Sequence, residues 1–328
     1  MTGDSDWNAD ARMSTTQVPL AETASGYRHE AFLYSGLAEF RAGTMSFIRR
    51  AIDAGGPVLV VVSKAKIDLL RRELHADAEH VHFADMADVG GNPARIIAAW
   101  RAFVQAYAGA AQLWGIGEPI YPERSPTELA ECHLHEALLN VAFDASTPFW
   151  LLCPYDLEAL AADITDEAQR THPFVARGGE RRPRVTFQPI DIADPFARPV
   201  PRPPADAAHM SFETGGLRRM RAFVAEQAER AGLDQEPAAA IVLAVNEIAT
   251  NSLRHGGGQG ELRVWKDGRS VVCEVSDQGH ITAPLAGRLP PVLSAGDGGG
   301  LWLANQLCDL VQIYSSPDGT AIRVYQDL

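Results

Sequence analysis

Apolar positions recur along this chain in two different rhythms. From about 26 to 174, short apolar runs alternate with helix-length segments whose apolar residues return every three or four positions. GPVLVVVS (56–63) is a continuous β-branched run of the kind that a parallel sheet buries on both faces, and AQLWGIG and TPFWLLCPY share its character. Helical patterns are predicted between them, at about 37–54, 64–76, 93–109 and 126–143. Strands separated by helices predict an α/β domain with a mostly parallel sheet and right-handed crossovers.

From 209 to 328 the order changes. Helices are predicted at about 214–231 and 236–255, strands at 260–266 and 270–276, a helix at 299–308, and strands at 309–315 and 320–326. Grouped helices and adjacent strands predict an α+β domain, with helices on one face of a mixed or antiparallel sheet. Between the two domains, 175–208 carries Pro183, Pro189, Pro195, Pro199, Pro201, Pro203 and Pro204 and reads as a semi-extended linker. Residues 1–25 are polar and aperiodic, which predicts a flexible tail.

A formal net charge of -13 and a pI near 5.2 exclude broad nucleic-acid binding or attraction to anionic membranes, both of which need a basic face. Cys132, Cys153, Cys273 and Cys308 lie far apart without a CxxC pair, as core thiols of a reducing compartment do. The start lacks the basic and apolar regions of a signal peptide, and no apolar run approaches the roughly 20 residues that span a bilayer. A cytoplasmic protein is the expectation.

The candidate chemistry is concentrated in the second domain. In VNEIATNSLRHGGG, Glu247, Asn251 and His255 are spaced by four and share a helical face, while Val245, Ile248, Ala249, Ser252 and Leu253 point away. A solvated face would show the same spacing, so the downstream residues must decide. VVCEVSDQG is a strand ending in Asp277, whose carboxylate can accept from an exocyclic amino group such as adenine presents, and Gly279 frees the turn after it. GDGGGLWLANQLCDLV sets Gly296, Gly298, Gly299 and Gly300 before a helix led by Leu301, where close backbone approach and free N–H groups favour phosphate.

In this order, E-x-x-x-N-x-x-x-H, D-x-G, a Pro/Gly-rich lid (about 280–297), G-x-G-L and a strand headed by Thr320 resemble the GHKL or Bergerat-type ATP-binding domain. The anti-sigma factor serine/threonine kinases are its most similar branch, and LRRMRAFVAEQAERAGL is similar to their first helix. The resemblance covers 209–328 and implies ATP and Mg2+ as cofactors. It implies that Asn251 holds the metal, that Glu247 is the catalytic base, and that Asp277 and Gly279 read adenine with Thr320 behind it. Gly298, Gly300 and Leu301 fall in its phosphate box, and His255 fits its pattern either as a ligand contact or as part of the helix cap. One departure stands out: Asp277-Gln278-Gly279-His280-Ile281 lacks the second glycine of D-x-G-x-G, so binding is better supported than turnover.

In the first domain, Cys132, His135 and Glu136 adjoin on a helix like metal ligands, but no second ligand pair follows, and they are given no metal. GIG at 115–117 is too short for a dinucleotide fingerprint, and no GxxxxGK[ST] occurs. HEAFLYSGLAEF, LVVVSKAKIDLL, LWGIGEPIYPERSPTELAECHLHEALLN and LLCPYD resemble the MEDS sensory domain of bacterial regulators over about 26–174. His29 and Tyr34 match its His-x-x-x-x-Tyr, and Trp114, Glu118, Glu136, Asn140 and Asp156 sit in its similar segments. Trp114 also suits a core and Asp156 a helix cap.

Together these imply a signalling protein that phosphorylates a STAS-type anti-sigma factor antagonist, binds a sigma factor, or does both, under control of a sensory domain with an unknown signal ligand. A homodimer is compatible with the resemblance; nucleic acid and membrane are not expected partners. The alternatives are a sensor histidine kinase, disfavoured by the proline-rich stretch where a phosphoacceptor hairpin belongs, and a non-catalytic partner switch, suggested by the altered glycine box.

Overall fold

The structure, a computed structural model, describes residues 26–184, 186–291 and 299–328. Its first sheet has seven strands in the order β3-β2-β4-β5-β1-β6-β7, with β1 Arg28–Tyr34, β2 Val58–Val62, β3 Val81–Asp85, β4 Leu113–Gly117, β5 Phe149–Asp156, β6 Phe174–Arg177 and β7 Glu180–Pro183. All pairings are parallel except the closing β6–β7 hairpin. The helices α1 Gly36–Asp53 and α2 Lys64–Leu74 cover one face, through Phe40, Phe47, Ile48, Ile67 and Leu70. On the other face lie α3 Met86–Gly90, α4 Ile96–Ala106, α5 Pro126–Ala142 and α6 Ala162–Thr171, with Ile97, Trp100, Leu138 and Leu139 buried.

The predicted strands and helices of this domain are present, and the GIG motif has a packing role. A Cβ at Gly115 would stand 2.9 Å from the Phe149 ring, and one at Gly117 would stand 2.8 Å from Trp100. The aromatic side chains lie directly on the strand, so glycine is required there. The sequence pattern did not yield β1, β3 or α6, where polar residues interrupt the periodicity.

The second sheet is antiparallel throughout, in the order β11-β12-β10-β9-β8, with β8 Ala208–Glu213, β9 Gln259–Asp267, β10 Ser270–Asp277, β11 Leu310–Ser316 and β12 Gly319–Asp327. Helices α7 Leu217–Ala231, α8 Gln235–His255 and α9 Gly299–Leu307 share one core with its inner face, built on Met220, Val224, Ile241, Val245, Ile248 and Cys273. The fold is therefore an α/β domain followed by an α+β domain.

The stretch from 175 to 208 differs from a free linker. Its first part forms the β6–β7 hairpin that extends the first sheet to Pro183. Farther on, Phe196 is buried in the core of the second domain, and its carbonyl accepts from Ser315 N. Prolines remove ladder donors, but side chains between them still dock, which a composition-based reading cannot see.

The domains meet in a polar seam. Asn92 Nδ2 donates to Asn305 Oδ1 at 3.0 Å, and Arg95 donates to the carbonyls of Asn305 (2.6 Å), Gln306 (3.1 Å) and Cys308 (2.9 Å). These carbonyls lie at the C-terminus of α9, where a cation also opposes the helix dipole.

Candidate functional site

The helix α8 sorts its residues as the spacing predicts. Val245, Ile248, Ala249 and Ser252 are buried, Glu247 and Asn251 are half-buried, and His255 is exposed at the helix end. Arg221 donates to Asn246 Oδ1 at 2.8 Å, and Asn246 Nδ2 donates to Glu247 Oε1 at 3.3 Å, so the carboxylate is oriented from its flank.

The entry of α9 lies against this face. A Cβ on Gly300 would stand 3.2 Å from Asn251 Nδ2 and 3.2 Å from Glu247 Cβ, which makes the glycine the reason the two helices approach so closely. Leu301 turns inward onto the core, where its Cβ would meet one built on Gly287 at 2.9 Å. Gly298 lies outside the described residues.

Asp277 closes β10 next to the end of α8. Its Oδ1 accepts from Gly279 N at 2.7 Å, and a Cβ on Gly256 would stand 2.3 Å from Asp277 Cγ. Gly256 ends α8 and also leaves the room in which Asp277 sits. Thr320 pairs with Asp277 across β10 and β12 and donates to Gly279 O at 2.8 Å. That bond uses the only proton of Thr320, so at 2.6 Å Ser315 must be the donor to Thr320 Oγ1, while Ser315 Oγ accepts from Ile281 N at 2.8 Å. The structure thus brings Glu247, Asn251 and Gly300 together on one side and Asp277, Gly279 and Thr320 on the other, joined through the end of α8. A groove of about 900 Å³ adjoins Asp277 and Gln278 and is bordered by Gly215, Arg219 and Glu261.

The segment after Ile281 is held by the first domain. Arg288 is 2 % exposed and pairs with Glu131 of α5, whose other oxygen takes Arg198 at 3.1 Å. Asn305 Nδ2 donates to Gly287 O at 3.0 Å. Sequence reasoning did not find this clamp, because no local motif connects residues 131 and 288.

The residues singled out in the first domain separate into two groups. Tyr34 donates to Glu118 at 2.9 Å, and Lys66 donates to Glu118 at 2.5 Å and to Tyr34 at 2.8 Å, at the C-terminal ends of the strands. Burial pushes the Glu118 carboxyl up, against the pull of Lys66, and pushes the Tyr34 phenol up as well. Asp156 accepts from Glu158 N at 3.0 Å, a local capping bond. Trp114 is core, edge-on to Phe47. His29, Glu136 and Asn140 meet in a separate buried cluster with Cys153, which the sequence had offered only as a core thiol, and His172, which it had not marked. Cys132 and His135 stand apart from it: the Cys132 thiol donates to Pro119 O.

Residues 28–173 match the family described as MEDS, the methanogen/methylotroph, DcmR sensory domain. Residues 210–325 match the histidine kinase-like ATPase domain family. No curated protein matches the chain. Among solved structures it is similar to the RsbU and RsbW domains of Rv1364c from Mycobacterium tuberculosis, with 22 % identity over 39 % of this chain and 34 % of that one and a TM-score of 0.29. It is also similar to the histidine kinase AdeS of Acinetobacter baumannii, with 10 % identity over 37 % and 67 % of the two chains and a TM-score of 0.21. The chain spans about a third of the length of the first of these. Among the described residues, no helix is long and apolar enough to cross a membrane.

Proposed function

Since residues 28–173 are a MEDS sensory domain and residues 210–325 a histidine kinase-like ATPase domain, we propose that this ATP-dependent signalling regulator is a serine/threonine protein kinase of the anti-sigma type. The observation that carries the reading is the contact of Gly300 with Asn251 and Glu247, which leaves a cradle that any side chain at 300 would fill. In this reading Asn251 holds Mg2+ through its carboxamide oxygen, and the ion, when bound, neutralises triphosphate charge. Asp277 accepts from the adenine amino group, Gly279 and Thr320 fix that carboxylate and its turn, and Gly298 and Gly300 leave room for phosphates. Glu247, steadied by Asn246, takes the proton of a serine hydroxyl on a STAS-type antagonist. His255, exposed at the helix end, contributes at the rim.

The test is calorimetric and chemical. Wild type binds Mg-ATP and Asn251→Ala does not; unchanged affinity in the variant sinks the site. Labelled ATP incubated with a candidate antagonist leaves label on the antagonist's serine, whereas label on histidine supports a sensor histidine kinase. Binding without transfer supports the second reading, a partner switch. That reading is favoured by Ile281, which stands at the family's second glycine with its N–H already bonded to Ser315. A sigma factor is the further partner to test by pull-down.

A further inference from the structure

The buried cluster in the sensory domain has the composition of a metal site. His29 on β1 and Cys153 on β5 are diagonal neighbours on one face of the sheet, because His29 pairs with Leu151 and Ala31 pairs with Cys153. Glu136 reaches the same point from α5, and His172 from the residue that ends α6. All four side chains are at most 1 % exposed, and one ligand atom from each lies within 4.8 Å of all the others.

The hydrogen bonds around the cluster fix where the protons are. Asn140 Nδ2 donates to Thr171 O at 2.8 Å, so its oxygen is the atom that faces His29 Nδ1 at 3.1 Å, and Nδ1 must carry the hydrogen. His172 Nδ1 lies 2.7 Å from Ala168 O, a carbonyl that only accepts, so it too is protonated. In the neutral rings both Nε2 atoms therefore bring bare lone pairs toward Glu136 Oε2, at 3.0 Å from His29 and 3.2 Å from His172. His172 Nε2 and Glu136 Oε1 have no hydrogen-bond partner. Protonating both rings is no remedy, because their centroids are 4.0 Å apart and like charges would face each other in a dry interior.

We propose that His29 Nε2, His172 Nε2, Cys153 Sγ and Glu136 coordinate a divalent transition-metal ion of the zinc type. Edges of a tetrahedron with zinc's bond lengths are about 3.3–3.6 Å. Separations of 3.0, 3.2 and 3.5 Å (the last between Cys153 Sγ and His29 Nε2) lie within about 0.3 Å of that range. A thiolate and a carboxylate together supply the two negative charges that a divalent cation cancels, which makes the buried site neutral. The Nδ1 bonds to Asn140 and to the Ala168 carbonyl are the outer contacts that orient metal-bound imidazoles. Four protein ligands leave no open position, so the site is of the structural or occupancy-sensing kind and not hydrolytic. None of its ligands is among the residues assigned to nucleotide.

The experiment uses the full chain purified without a polyhistidine tag. Elemental analysis should find about one zinc per chain, and after chelation the apoprotein should take up Co2+ with intense tetrahedral d–d bands and a near-ultraviolet thiolate-to-cobalt band. Cys153→Ser removes the thiolate band, and Asn140→Ala, which removes no ligand but frees the His29 ring and the Thr171 carbonyl beside His172, weakens metal affinity by about 10–100-fold. Circular dichroism of each variant keeps misfolding apart from lost ligation. Folded wild type that neither retains zinc nor develops the cobalt bands overturns the proposal and leaves an imidazolium–carboxylate cluster. So does a Cys153→Ser protein with unchanged affinity and spectrum, which would put the metal elsewhere.

Discussion

At Gly256 a single methyl group decides where Asp277 can stand. Its φ of -103° suits any residue, so Gly256→Ala acts through space alone: the added carbon collides with the carboxylate. The expected cost is about 1–3 kcal/mol in thermal unfolding, together with weaker nucleotide binding by titration calorimetry. Glu247→Gln keeps shape and hydrogen bonding but loses basicity. It should retain Mg-ATP affinity while phosphate transfer falls by about 10²–10⁴-fold in a single-turnover assay. The thiols give a third expectation. Burial pushes Cys132 and Cys308 up to about 12, so at pH 8 both remain protonated. Peptide mapping after alkylation should find them unmodified in the native protein and modified in guanidinium.

At the scale of elements, Arg95 is the main tie between the first domain and α9. Arg95→Ala removes bonds to three carbonyls at the helix end, at a cost of about 1.5–3 kcal/mol. Calorimetry should then resolve two domain transitions that overlap in the wild type. What the sequence shows of such elements depends on how local their causes are. The helix α8 and the strand β10 were legible because four-residue spacing and a short, mostly apolar run are written in consecutive residues. The residues gathered at Gly300 could be named for the same reason, through a motif of fixed order. The strand β1 hides His29 and Glu30 among its apolar residues, and both are buried only because Glu136, Trp150 and Arg181 reach them from far along the chain. The cluster of His29, Glu136, Cys153 and His172 was invisible for that reason: its members come from four elements. His29 and Glu136 had been named through the family resemblance and Cys153 as a core thiol, but nothing in the sequence joined them to one another or to His172.

At the scale of the whole molecule, Glu131 and Arg288 join the first domain to the segment that follows β10. Both are 2 % exposed or less, so removing one partner leaves a buried charge. Glu131→Ala should cost about 3–5 kcal/mol and speed hydrogen exchange across 282–290. The double variant Glu131→Ala with Arg288→Met should recover most of that loss.

The helix α5 holds the Arg288 clamp through Glu131 and, five residues on, reaches the buried histidine cluster through Glu136. A rigid helix has no slack over about 7.5 Å. In the proposed reading, with a metal beside Glu136 and a nucleotide bound in the second domain, a shift of α5 would be felt at both ends, and thermodynamic reciprocity would make the traffic run both ways. Whatever factor the first domain then imposed on nucleotide affinity, the nucleotide would return to the first domain. In the proposed reading the nucleotide level would act on the first domain as well as on the second.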